Sequence, residues 1–308
     1  MTCPPASSHR SYVSSQDFIS AWLAMSMLGV GMRVTPAALR QLGSELRVVT
    51  TSVVANLIAL PTLGLILLNL CGATSASFLG IFICLVLGGS TISLKLTASK
   101  SANLSLAVLT TASTLVLSAL TANLWFALTS QVFSAQAHLD LWALTVDILT
   151  NLLSPILLGV MVAVLATRNN PQALGAWPDR IGRLANLLIV GAIWAAVDEP
   201  QVLVPITEPL FYLGALFFLG LSLLLPIVLY PATPDRIALL YGSVVRNTAL
   251  CLVVSRGAGS LAYSGAMIYS MSGVVLGVLM NFGWLWLRRR KLAPSTDAVL
   301  DATEAVSD

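Results

Sequence analysis

The stretch YGSVVRNTALCLVVS, Tyr241 to Ser255, reads as an apolar membrane helix that carries Arg246 in its middle, flanked by Ser243 and Asn247. A guanidinium has five N–H donors, no acceptor and a permanent charge, so its chemistry there is anion binding or charge pairing. Placing arginine at the centre of a membrane helix costs about 2.5 to 3.5 kcal/mol on insertion scales, and such charges face a cavity or a partner. A second apolar run, LVLGGSTISLKLTASKS from Leu85 to Ser101, holds Ser90, Thr91, Ser93, Thr97 and a second cation, Lys95. Lys95 reads either as a helper of Arg246 or as a cation that snorkels to the membrane face. Asp147, in LTVDILTNLLSP, is the acidic residue that lies well inside an apolar run. It is open as a structural ion-pair partner of Arg246, as a proton-coupling site, or as a cavity-facing polar group near one membrane face.

These residues sit in a chain of 308 residues that is 57% hydrophobic and 9% charged, with a mean hydropathy of +0.88. An ordinary soluble domain carries roughly 25% charged residues, so the composition predicts an integral membrane protein surrounded by a lipid bilayer. The basic residues are scattered through short loops, which argues against a nucleic-acid partner. Cys3, Cys71, Cys84 and Cys251 show no paired spacing and read as small hydrophobes. His9 and His138 are the only histidines, and no zinc-protease, nucleophile-elbow, P-loop or dinucleotide pattern is present. The expectation is a protein without a metal site or cofactor that is not an enzyme. No cleavable signal peptide is expected, because the polar stretch from Met1 to Gln16 contains no apolar core.

A helix needs about 20 residues to cross the hydrocarbon. The apolar runs predict nine spans: Phe18–Met32, Val48–Leu70, Ser77–Leu96, Leu104–Ser130, Leu141–Thr167, Ile181–Val197, Pro209–Tyr230, Ile237–Ser255 and Ala262–Leu287. A polar tail, 1–16, would precede a single transmembrane unit, 17–291, and an acidic tail, 292–308, would follow it. With nine spans, one set of loops holds 13 basic residues and the other, with the N-terminal tail, holds two. The rule that basic loops stay cytoplasmic then puts the N-terminus outside and the LRRRKL end in the cytoplasm, in a plasma (inner) membrane.

Two spans are interrupted. Gly88 and Gly89 weaken the third at mid-membrane, and Gly242, Ser243, Arg246 and Asn247 interrupt the eighth at similar depth. Backbone groups freed at that depth must face protein or a water-filled cavity. Interrupted helices at matching places in two halves of a chain point to a transporter binding site. Spans one to four superpose on six to nine, third on eighth, and the offset of five reverses their direction, as an inverted repeat requires.

Three passages resemble the bile acid:sodium symporter family, whose fold is shared with auxin-carrier-like and arsenite-efflux-like relatives. MLGVGMRVTPAALR (Met27–Arg40) is similar to its Met-Phe-Gly-Met-Gly stretch with a following Thr-Pro turn. LGGSTISLKLTASKSANLSLAVLTTAST (Leu87–Thr114) is similar to its Pro-Gly-Gly, Ser-Asn and Thr-Thr-x-Ser-Thr series. GSVVRNTALCLVV (Gly242–Val254) is similar to its Glu-x-Gly-x-Gln-Asn motif, and Asn56 with Pro61 to its Gln five residues before Pro. The resemblance implies panel helices at about 18–32, 141–167 and 181–197, and core helices at about 48–130 and 209–287, with the two broken helices crossing in the core. It implies a secondary transporter of organic anions, bile-acid-like, keto-acid or other small carboxylates, driven by two sodium ions behind the crossing.

The departures from the family are informative. Its sodium-binding Glu aligns with Gly242, its Gln with Arg246, and the Asn of its Ser-Asn pair with Leu94. Among the family's sodium ligands Ser93, Thr110 and Asn56, a shorter amide, keep suitable oxygens. Two unit charges about 4 Å apart repel by roughly 4 kcal/mol at an effective dielectric of 20, so a guanidinium there disfavours sodium. The expectation is a carrier that has lost two-sodium coupling, in which Arg246, helped by Lys95, binds a carboxylate directly or locks the crossing in place of sodium. The half-helix N-termini near Ser93 and Asn247 would add partial positive charge. A sodium-coupled carrier with altered ion sites and a receptor that kept the fold without transport are the alternatives.

Overall fold

The computed structural model describes residues 15–98, 104–129, 132–133, 146, 149–168, 170, 172–198, 204–230 and 234–292. Asp147, the tail residues 1–14 and 293–308, and the first part of the expected fifth span lie outside the described residues. Every regular element among the described residues is helical. In chain order these are α1 (Ser15–Gly31), α2 (Pro36–Val54), a π-helical turn (Ala55–Ala59), α3 (Leu60–Leu70), α4 (Ala76–Val86), α5 (Thr91–Ala98) and α6 (Leu104–Thr129). A second π turn (Leu149–Leu153) then leads into α7 (Ser154–Thr167), α8 (Trp177–Asp198), α9 (Pro209–Leu229), α10 (Pro234–Val244), α11 (Thr248–Gly257) and α12 (Ser260–Leu292).

Five helical stretches among the described residues are long and apolar enough to cross a bilayer: Gly43–Leu70, Thr150–Thr167, Pro209–Leu229, Ile237–Gly257 and Ser260–Gly283. Leu104–Ser118 and Leu120–Thr129, bent by 51°, make a sixth when taken as one span. Asp17–Gly31 and Ala76–Val86 are shorter apolar helices. The first of the nine expected spans corresponds to α1, the third to α4 and α5 across a break, and the sixth to α8, whose first turns carry Asp179, Arg180 and Arg183. Leu157, Leu165, Leu213, Leu216, Phe217, Val228 and Leu279 are exposed on the outer faces. So large an apolar surface requires lipid around it, and the chain is a multi-pass membrane protein.

Helices approach closely where glycines face backbone. On α1, the position a Cβ would take at Gly31 is filled by the Ile156 carbonyl and Gly159 of α7. Gly80 of α4 faces the Ala262 carbonyl of α12, and Gly265 of α12 faces the Ser77 carbonyl. Lipid tails are as apolar as leucine, so membrane helices associate through this tight packing. α1 packs mainly on α7 and α8, while α4 packs on α12 and also touches α3 and α11. α4 is buried along its whole length. It forms the centre of the largest hydrophobic cluster among the described residues, where its own Phe78 and Phe82 join Phe126, Phe211 and Phe218.

Candidate functional site

The two breaks meet at the centre of the molecule. In the first, Gly89 has φ of 80°, and a Cβ there would stand 2.9 Å from Leu115 Cγ and 3.1 Å from the Thr111 carbonyl of α6. Only glycine suits both the backbone angle and the space. A Cβ at Gly88 would lie 3.4 Å from Arg246 Nη1, which puts the second break directly against the first. Across the breaks the half-helices pair crosswise, α4 with α11 and α5 with α10, as two crossing helices must.

Each second half-helix begins with a polar cap. Asn247 Oδ1 accepts a hydrogen bond from Leu250 N at 3.2 Å, which satisfies one free donor at the start of α11. Ser90 Oγ accepts from Ile92 N at 3.2 Å before α5. Thr91 opens α5, and its side chain lies outside the described residues. Ser93 Oγ donates to the Ser90 carbonyl.

Arg246 is fully buried, with 0% exposure. Its Nη1 donates to Asn56 Oδ1 at 3.2 Å. The Asn56 amide nitrogen donates to the Ser52 carbonyl at 2.9 Å and to Ser243 Oγ at 3.2 Å. Asn56 therefore joins the second break to the end of α10 and to its own helix. Pro61 explains its placement. Proline has no N–H for the Leu57 carbonyl four residues back, and the helix relaxes into the π turn Ala55–Ala59 that contains Asn56. The freed Leu57 carbonyl instead accepts from Trp125 Nε1 of α6 at 2.9 Å.

Beside Asn56, a cavity of about 10 Å³ is lined by Ser52, Asn56, Gly89, Thr110, Thr111, Thr114 and Gly242. That is room for roughly one water. The positions that the resemblance links to sodium offer few side-chain oxygens here. Thr110 Oγ1 donates to the Leu106 carbonyl at 2.8 Å, and Leu94 and Gly242 contribute no side-chain oxygen. Asn56 Oδ1 faces a guanidinium, and Ser93 is turned to Ser90. Leu94 and Gly242 thus supply no ligand, and the Arg246 charge beside Asn56 would repel a sodium ion.

Lys95 lies elsewhere. Its Nζ donates to the Gly182 carbonyl of α8 at 3.0 Å, in a cluster with Arg33 and Asp179, which pair at 2.6 Å. Among the described residues the ionisable neighbours of Arg246 are Tyr269, Cys251 and Cys84, not Lys95. The expected cooperation of the two cations therefore has no contact behind it. Ser52, Tyr269 and Ser222 belong to the centre and carry no sequence signal, since single hydroxyl residues are common in membrane helices.

A model of the sodium bile acid symporter family matches residues 21–197, more than half of the chain. The match begins within α1, takes in the first break and Asn56, and stops before the break that holds Arg246. No curated protein matches the chain.

Proposed function

The chain belongs to the sodium bile acid symporter family, and from that premise we propose an alternating-access carrier in which a fixed cation does the work of sodium. Membership implies a secondary transporter of organic anions rather than an enzyme. The substrate is a bile-acid-like, keto-acid or other small carboxylate. The nine-span arrangement has its N-terminus outside, its C-terminus in the cytoplasm, and the plasma (inner) membrane as its site. α1, α7 and α8 form the panel, an assignment supported by the packing of both α7 and α8 on α1. The remaining helices form the core that rocks against them.

The hydrogen bond from Arg246 Nη1 to Asn56 Oδ1 carries this reading. It ties the second break to the π turn before α3 and holds the crossing rigid without a metal ion. Complete burial of Arg246 favours this locking role over direct contact with the carried carboxylate. The capped N-termini of α5 and α11, at Ser90 and Asn247, then present their partial positive charge to the substrate carboxylate.

Counterflow of radiolabelled carboxylates in proteoliposomes tests the proposal. The expected result is exchange at the same rate in sodium and in choline. A strict sodium requirement would overturn the fixed-cation mechanism. Saturable binding without any counterflow would replace the carrier with a receptor.

A further inference from the structure

We propose that Arg246 holds a buried halide-sized inorganic anion, chloride under ordinary conditions, on the edge of its guanidinium that Asn56 does not use. Nη1 is engaged with Asn56, whereas Nε and Nη2 close no well-formed hydrogen bond among the described residues. Those two nitrogens form the side-on fork of the guanidinium, a pair of parallel donors suited to one anion. The Tyr269 hydroxyl stands beside the guanidinium and the Ser222 hydroxyl beside Tyr269. Among the described residues neither hydroxyl closes a well-formed hydrogen bond, although Tyr269 is within reach of both the guanidinium and Ser222, and both residues are fully buried at 0% exposure. Thr248 Oγ1 and Asn247 Nδ2, next along the chain, are also buried without a partner among the described residues.

Three features select the ligand. A lone buried charge is strongly disfavoured, so this guanidinium calls for a counter-charge, and no carboxylate among the described residues reaches it. The fork can only donate, and the adjacent hydroxyls are free to orient their hydrogens, so the locus favours negative charge. Arg246, Tyr269 and Ser222 are closed to solvent, which favours a monatomic anion over the larger carboxylate that the carrier would move. The inference concerns charge compensation in the resting protein and does not rest on the transport reading.

Thermal unfolding of the purified full-length protein in detergent, followed by tryptophan fluorescence, tests it with potassium chloride against potassium gluconate at equal ionic strength. Chloride should raise the melting temperature saturably, by roughly 5 °C or more at a hundred times its Kd. Bromide should act likewise. Arg246→Gln should abolish the difference. The double variant Tyr269→Phe with Ser222→Ala keeps the arginine, and its half-saturating chloride concentration should rise several-fold. Binding of chloride-36 at one ion per chain would agree with the melting data. Equal melting temperatures in chloride and gluconate would overturn the proposal and leave a network of side chains or water at this place. An unchanged chloride response in the double variant would overturn it too.

Discussion

Asn56 uses both ends of its amide: the oxygen accepts from Arg246, and the nitrogen donates to Ser52 and Ser243. Replacing it with leucine keeps the bulk and removes the acceptor of the Arg246 Nη1 hydrogen bond. A buried hydrogen bond between a charged and a neutral group is worth about 1.5 to 3 kcal/mol. Asn56→Leu should therefore lower stability by about 2 kcal/mol or more, read from unfolding in detergent. Ser93→Ala loses only a local bond to the Ser90 carbonyl and should cost about 1 kcal/mol or less. Transport by Ser93→Ala should be unchanged, whereas a sodium ligand at this position would make it fail. The two variants together separate a locked crossing from an ion-coupled one.

Two glycines of the crossing predict opposite outcomes at the scale of the element. Gly89 has positive φ and touches α6, so Gly89→Ala strains the backbone and pushes on Leu115, at a cost of about 1 to 3 kcal/mol. Gly242 lies within α10, and a Cβ there would meet nothing within 4 Å. Gly242→Ala should be neutral or stabilising by about 0.5 to 1 kcal/mol, the gain of alanine over glycine in a helix. Melting temperatures of the two variants decide the point. Both breaks were legible in the sequence because glycine and polar residues stand out in apolar runs, and Asn56 with Pro61 already carried the spacing that makes the π turn. The start of α2 was not. It begins at Pro36 instead of Val48, because Arg40, Glu45 and Arg47 make its first turns polar and hide them from an apolar count. The partner of Lys95 was equally hidden. It is a backbone carbonyl 87 residues away, and such an acceptor leaves no trace in residue types.

At the scale of the whole molecule, the contact between Lys95 and Gly182 joins the end of α5 to the start of α8, that is, proposed core to proposed panel. It lies at the end that holds Arg33, Asp179, Arg180 and Arg183, the end proposed as cytoplasmic. A carrier that rocks panel on core opens this end by parting α5 from α8. The Arg33–Asp179 pair, from the turn after α1 to α8, stays within the panel throughout and needs no breaking. Holding Lys95 to Gly182 should therefore stop the cycle with the cytoplasmic side closed. In a variant whose native cysteines are replaced, Lys95→Cys with Gly182→Cys joined by a short bifunctional thiosulfonate should lose counterflow. A reductant should restore it, and either single cysteine treated alike should transport normally. The hydrogen bond itself, exposed in part to solvent, adds only about 1 kcal/mol. Lys95→Met should accordingly shift the balance toward the cytoplasm-open state without abolishing transport. Full activity in the crosslinked protein would mean that α5 and α8 move as one body, and the division into panel and core would have to be drawn elsewhere.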